Sequence, residues 1–550
     1  MVLFIILVIA VTSDGILCQV GRPVVTTRQG DVRGVTNTTQ LRNRTYHAFR
    51  GIPYAQPPIG DLRFRAPRKA RPWVKPLDAA EDKSECTQSD GAAVVGSEDC
   101  LYINVYTPQI NANLPVMVWI YGGSFKSGMA NFSIYNPENF LEENVVFVSF
   151  NYRVGIFGFL STGDLESPGN WGLKDQVLAL KWVKENIRGF GGNPNKVTIF
   201  GQSAGSGSVS YLVQSEKARG LFHGGIMESG TTLSSLALSR NSKTDAFHVG
   251  IRYGLNTTST RTLVRELRKV DYSVLQQISD QVVALNFIIK PTEWNVTTFG
   301  VVDEPYHEEA FFSGRSRELL ICGDFYRVPV IVGYTSNELG FITYIFDQLK
   351  PLLPQYEADP SKLAPPALTR DRVEKLLAGY LIDVHYFGRG GIFNSTPQSV
   401  SNFLSEELFN RPGRETVNLM SKYTDVYFYV FSYAGGVPRK YPGAAHADEL
   451  QYLFRNNANA SRADQLTRDR LLKLWTNFAK FQNPTPRNDE PLFRNVTWLT
   501  AKHGLHRDKD DVNYLNIGDE LVLAKNPSQS DWLFYRDLYR RFGEGIDTTY

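Results

Sequence analysis

The chain has 550 residues, 42% hydrophobic and 21% charged, a balance that excludes a disordered majority and leaves ample apolar material for a large core. Its 59 basic and 56 acidic side chains are interspersed and leave a net charge of +3. No polybasic tract points to nucleic acid or to an acidic membrane surface.

Val2–Val11 (VLFIILVIAV) is an unbroken run of ten apolar residues. It is too short to span a bilayer as a helix and suits the hydrophobic region of a secretory leader. No Lys or Arg precedes it, and the cut falls after Ser13 or after Cys18. This predicts a leader over 1–18 and one mature unit over 22–550, secreted and extracellular. No later stretch approaches the length of a membrane span, and the polar Arg540–Asp547 region predicts no lipid-anchor tail. Eight N-x-[ST] sequons, at Asn37, Asn43, Asn131, Asn256, Asn295, Asn394, Asn459 and Asn495, are glycosylation candidates and hence candidates for the surface.

Of four cysteines, Cys18 leaves with a leader cut after it, and Cys86, Cys100 and Cys322 remain. Cys86 and Cys100 bracket a polar, glycine-containing segment, and a secreted chain is expected to oxidise them. Closing a loop of that size stabilises a fold by about 3 kcal/mol in the chain-entropy account. Cys322 is expected to be a buried core thiol.

Short apolar runs then recur as strand signals: Val116–Tyr121, Val145–Phe150, Val197–Phe200, Val328–Gly333 and Val426–Tyr433. Continuously apolar strands suit a sheet buried on both faces. Between the second and third, Leu173, Val177, Leu180, Val183 and Ile187 repeat at helical spacing and stop at Gly189. Alternating strands and helices predict an α/β fold with a large, mostly parallel central sheet and helices on both faces. The proline-rich segment Pro351–Pro366 reads as a surface excursion. No linker or internal repeat divides the chain.

In such sheets the chemistry lies beyond the carboxyl ends of the strands. Val116–Tyr121 runs into Gly122, Gly123 and Ser124, where adjacent glycines let backbone N–H groups converge as an oxyanion hole requires. Val197–Phe200 runs into Gly201-Gln202-Ser203-Ala204-Gly205, the Gly-x-Ser-x-Gly spacing of a nucleophile elbow. Val328–Gly333 is followed by Glu338, and Val426–Tyr433 by a loop carrying His446. Ser203, Glu338 and His446 therefore occur in the order nucleophile, acid, base, each after a strand. No His/Cys/Asp cluster has metal-ligand spacing, and neither metal nor cofactor is expected.

These stretches, with Phe49–Ala55, Leu62–Phe64, Glu98–Tyr106, Asn151–Gly155, Gly172–Gln176, Gly191–Pro194 and Trp475–Ala479, resemble the type-B carboxylesterases, which include cholinesterases and insect secreted esterases. The resemblance covers the whole mature chain and implies an α/β-hydrolase fold. It implies Ser203 as nucleophile, His446 as general base and then acid, and Glu338 as the carboxylate orienting the imidazole. The N–H groups of Gly123, Ser124 and Ala204 form the implied oxyanion hole. Structural pairs Arg63 with Glu98 and Arg153 with Asp175, and the Cys86–Cys100 disulfide, are implied as well.

Several departures narrow the reading. Ser124 stands where the family usually has glycine, Gln202 where Glu is frequent, Glu406 where Asp is commoner, and Leu255 and Glu266 where a second cysteine pair is usual. The loop between Cys86 and Cys100 has no aromatic residue, whereas cholinesterases place there a Trp that attracts a quaternary ammonium, so a choline ester is not expected. The expected partner is a small apolar carboxylic ester, with no obligate protein partner. Gly-Gln-Ser-Ala-Gly resembles juvenile hormone esterases, although Ala447 departs from the Thr usual after the histidine. A different class, a non-catalytic adhesion protein on the same scaffold, would lack a triad member.

Overall fold

The computed structural model describes residues 22–289, 297–366, 368–436, 439–455, 460–487, 490–506 and 510–543. The leader region, Cys18, Asn295 and Asn459 lie outside them.

The apolar runs assemble into an eleven-stranded mixed sheet among the described residues. Seven neighbours run parallel, in the spatial order Asn513–Ile517, Val426–Phe431, Val330–Thr335, Gly224–Glu228, Gly192–Gln202, Leu114–Ile120 and Val146–Phe150. Leu521–Lys525 closes one edge antiparallel, and Tyr102–Thr107, Thr45–Pro53 and Val35–Thr38 extend the other. The central strands are continuously apolar because helices cover both faces: Val146–Phe150, Val330–Thr335 and Val426–Phe431 are buried at every residue. All five strand expectations hold with shifted ends. Gly224–Glu228 is an additional strand whose two glycines weakened its signal.

The predicted helix forms over Trp171–Asn186, continues as a tighter turn to Phe190, and ends at Gly191 in the left-handed region rather than at Gly189. Arg153 and Asp175 form a buried two-pronged pair at 2.8 and 2.7 Å, and Arg63 grips Glu98 through two bonds of 2.6 Å. Cys86 and Cys100 form the disulfide, with Cα atoms 4.9 Å apart. Asn37, Asn43, Asn256, Asn394 and Asn495 are exposed, and Asn131 is partly so.

Two expectations fail. Cys322 is exposed, because it ends the short helix Ser316–Cys322 on the side away from buried Ser316 and Leu320. Pro351–Pro366 is not a surface excursion. It folds into short turns of helix that bury Leu353, Tyr356 and Leu363 in a second apolar cluster with Phe403, Leu408 and Phe409, separate from the core around the sheet. Prolines start such turns because a helix's first N–H needs no partner, so a proline-rich stretch can still pack.

Candidate active site

Four strand ends and one helical turn converge beyond the carboxyl edge of the sheet. The strand Gly192–Gln202 turns into the helix Ala204–Gln214 at Ser203, whose backbone is forced to φ 59° and ψ −123°. A non-glycine residue there carries strain of about 1–3 kcal/mol, which the surroundings must hold. They do so by close packing: a Cβ on Gly205 would lie 2.0 Å from the Ile120 carbonyl oxygen, and one on Gly201 would lie 2.5 Å from it. Both flanking glycines are thus dictated by the neighbouring strand. The Ser203 N–H donates to the Glu228 carbonyl at 2.8 Å, tying the turn to the next strand as well.

The loop after Leu114–Ile120 places Gly123 at φ 120° and Ser124 at φ 56°. Ser124 therefore adopts the left-handed conformation that glycine would take without strain, and keeps its N–H available. Among the described residues, the N–H groups of Gly123, Ser124 and Ala204 donate to no protein acceptor. The Ala204 N–H is the first of its helix and carries the positive end of the helix dipole.

Glu338 and His446 are brought together from loops after two adjacent strands. His446 Nδ1 lies 2.5 Å from Glu338 Oε2, while Glu338 Oε1 accepts the Thr335 N–H at 2.7 Å. The loops are also stitched by backbone: Asn337 N–H to the Ala444 carbonyl and His446 N–H to the Glu338 carbonyl, each 2.9 Å. With Nδ1 protonated toward the carboxylate, His446 Nε2 is an acceptor. Its partner is the amide of Gln202, at 3.0 Å, rather than the adjacent Ser203 hydroxyl, which makes no hydrogen bond among the described residues. Gln202 was read from sequence only as a missing negative charge; its hold on the imidazole has no sequence signal, because the two are 244 positions apart.

Ser203, Ser124 and Ala204 line one cavity of about 240 Å³. Phe409 closes its wall and also packs on His446, ring centroids 4.7 Å apart. Phe409 sits on a π-helical turn, Glu406–Asn410, between two regular helices. Such turns are frequent at functional sites because they redirect one side chain.

Sequence reasoning also passed over two buried acids behind the site. Glu228 is fully buried, accepts the Trp475 indole N–H at 2.6 Å, and has its pKa pushed up to about 8 by burial. Glu449, three residues past His446, is fully buried with its pKa raised by burial and by the neighbouring charges of Glu228 and Glu338. Glu228 had a signal: it ends a strand, as the other candidates do.

The sequence model described as Carboxylesterase family matches residues 21–534. The chain belongs to the carboxylesterase family. It is 35% identical to venom carboxylesterase-6 of Apis mellifera over 528 residues, covering 90% of each chain. It is 34% identical to juvenile hormone esterase of Tribolium castaneum, over 86% of this chain and 85% of that one. In structure it is similar to juvenile hormone esterase of Manduca sexta, solved with OTFP covalently attached, with a TM-score of 0.82 and 26% identity over 94% of this chain and all of that one. This carboxylesterase has the α/β-hydrolase fold, and no helix among its described residues is long and apolar enough to cross a membrane.

Proposed function

We propose that this carboxylesterase is secreted and cleaves small carboxylic esters through an acyl-enzyme on Ser203. Glu338 holds the imidazole of His446 in the tautomer whose Nε2 accepts a proton. An incoming ester displaces the Gln202 amide from that nitrogen. The Ser203 oxygen then bonds to the ester carbonyl carbon as its proton passes to His446 Nε2. The carbonyl oxygen gains the negative charge and takes the N–H groups of Gly123, Ser124 and Ala204, one such donor being worth about 3–4 kcal/mol in a transition state. Collapse expels the alcohol, which leaves with the proton from His446. Water, deprotonated by the same imidazole, attacks the acyl carbon and frees the acid and Ser203.

The observation that carries this reading is the 2.5 Å contact of His446 with Glu338 on one side and its Nε2 contact with Gln202, next to Ser203, on the other. Phe125, Leu236 and Phe409 supply an apolar wall for the substrate's hydrocarbon. The leader-like Val2–Val11 and the Cys86–Cys100 disulfide support secretion. A p-nitrophenyl ester tests the mechanism: wild type hydrolyses it, Ser203→Ala does not, and an organophosphate labels Ser203 in the wild type only. Equal turnover by both proteins overturns it.

Likeness to two juvenile hormone esterases, together with Gln202, favours a more specific second reading, hydrolysis of that hormone's ester. A kcat/KM for juvenile hormone no higher than for simple alkyl esters removes it.

A further inference from the structure

The cavity that holds Ser203 is apolar on one side, yet one full charge lines it. Lys126 is the sole charged side chain among its described lining residues, two positions past Ser124. Three hydroxyls on the same wall are already committed, whereas the buried Ser229 hydroxyl has no partner among the described residues. Ser234 donates to the Leu408 carbonyl at 2.7 Å, Thr297 to the Leu236 carbonyl at 2.8 Å, and Thr231 to the Pro412 carbonyl at 3.4 Å. By contrast, the Lys126 ammonium has no hydrogen-bond or ion-pair partner among the described residues.

The carboxylate acting on Lys126 is Asp280, which lies outside the cavity lining and is itself occupied by the Gln276 amide at 2.8 Å and by Ser89. Lys126 is partly desolvated without a bound counter-charge. Elsewhere around the site, Glu338 is paired with His446, and burial drives Glu228 and Glu449 toward their neutral forms. Gln202 adds no charge next to the serine. The cavity therefore faces an incoming molecule with a hydrocarbon wall, the unpartnered Ser229 hydroxyl and one cation that no described residue hydrogen-bonds.

We propose that Lys126 selects esters that carry a carboxylate on the hydrocarbon near the scissile bond, such as the monoester of a dicarboxylic acid. The ammonium donates to that carboxylate while Phe409 and Leu236 hold the chain between the two groups. This deepens the serine-esterase reading and rests on it. A hydrogen bond between opposite charges in a partly desolvated site corresponds to about a tenfold preference or more.

The test compares each carboxylate ester with its carboxamide analogue, which matches it in shape without the charge. Monoethyl adipate against its monoamide places the group on the acyl side. 4-Acetoxybenzoate against 4-acetoxybenzamide places it on the alcohol side. The readout is the ratio of kcat/KM within each pair for wild type, Lys126→Met and Lys126→Arg. The ratio should fall about tenfold in Lys126→Met for at least one pair and stay within threefold in Lys126→Arg. A fall of less than threefold in both pairs overturns the assignment. Should Lys126→Met not fold, wild type decides alone. Raising NaCl must lower the ratio as the ions screen the ammonium, and a ratio independent of salt overturns the proposal. Wild type that cleaves neither member of any pair, with Ser203 unlabelled by an organophosphate, strikes the serine mechanism rather than Lys126.

Discussion

The two walls of the cavity are held by different means. On the sheet side, Ser203, Ala204, Gly123 and Ser124 sit on turns pressed against strand carbonyls so closely that a single added carbon on Gly205 or Gly201 would overlap Ile120. On the helical side, Phe409 is set by a π-helical turn that belongs to the smaller apolar cluster around Phe403, Leu408 and Tyr356. In the proposed mechanism the sheet side fixes the atoms that meet the ester carbonyl, whereas the helical side fixes the shape of the wall at Phe409. The serine turn and the Phe409 wall are therefore lodged in separately packed parts of the molecule.

Substitutions on each side sharpen that contrast. Ser203→Ala should lower kcat for a p-nitrophenyl ester about 10⁴-fold or more while leaving thermal unfolding little changed, which activity and calorimetry together check. Phe403→Ala, in the middle of the second cluster and fully buried, should cost about 3–5 kcal/mol. In a urea titration its activity should be lost at a lower midpoint than the far-UV circular dichroism, because the helical layer loosens before the sheet. Coincident midpoints would show that the two parts unfold as one. Replacing Cys86 and Cys100 together by serine should cost about 3 kcal/mol, read as a fall in denaturant midpoint.

The last comparison concerns pH. Burial raises the Glu406 pKa to about 8, above its ordinary 4.5, so the folded protein binds a proton that the unfolded chain releases between those values. Its contribution to stability is complete below about pH 4.5 and is lost as pH rises through 8. Glu406→Gln, which can still accept from Asn410, should therefore raise Tm relative to wild type at pH 8 and leave it nearly unchanged at pH 4. Equal differences at both values would deny that the carboxyl is held neutral.

Much of the sheet side was legible in the sequence. Continuous β-branched and aromatic runs mark strands buried on both faces, and glycine, serine, glutamate and histidine each follow such a run at its carboxyl end. Gly201 and Gly205 were legible as a turn but not as a packing requirement, since the Ile120 carbonyl oxygen they avoid lies 81 and 85 positions away on another strand. Less of the helical side was legible. Prolines between 351 and 366 disguised a packed cluster, and Cys322 faces outward because helix phase, which seven residues hardly define, decides burial there. Phe409 and Lys126 gave no signal, because the cavity that unites them with Ser203 exists only after distant loops meet.

The cross-stitching of the Glu338 and His446 loops, through Asn337 to Ala444 and His446 to Glu338, has a consequence for how the enzyme dies. Neither loop can peel away and leave the other in place, so carboxylate and imidazole depart in a single event. Heat-damaged samples should then be mixtures of fully competent and wholly inert molecules, with specific activity dropping while the Michaelis constant of the survivors stays where it was.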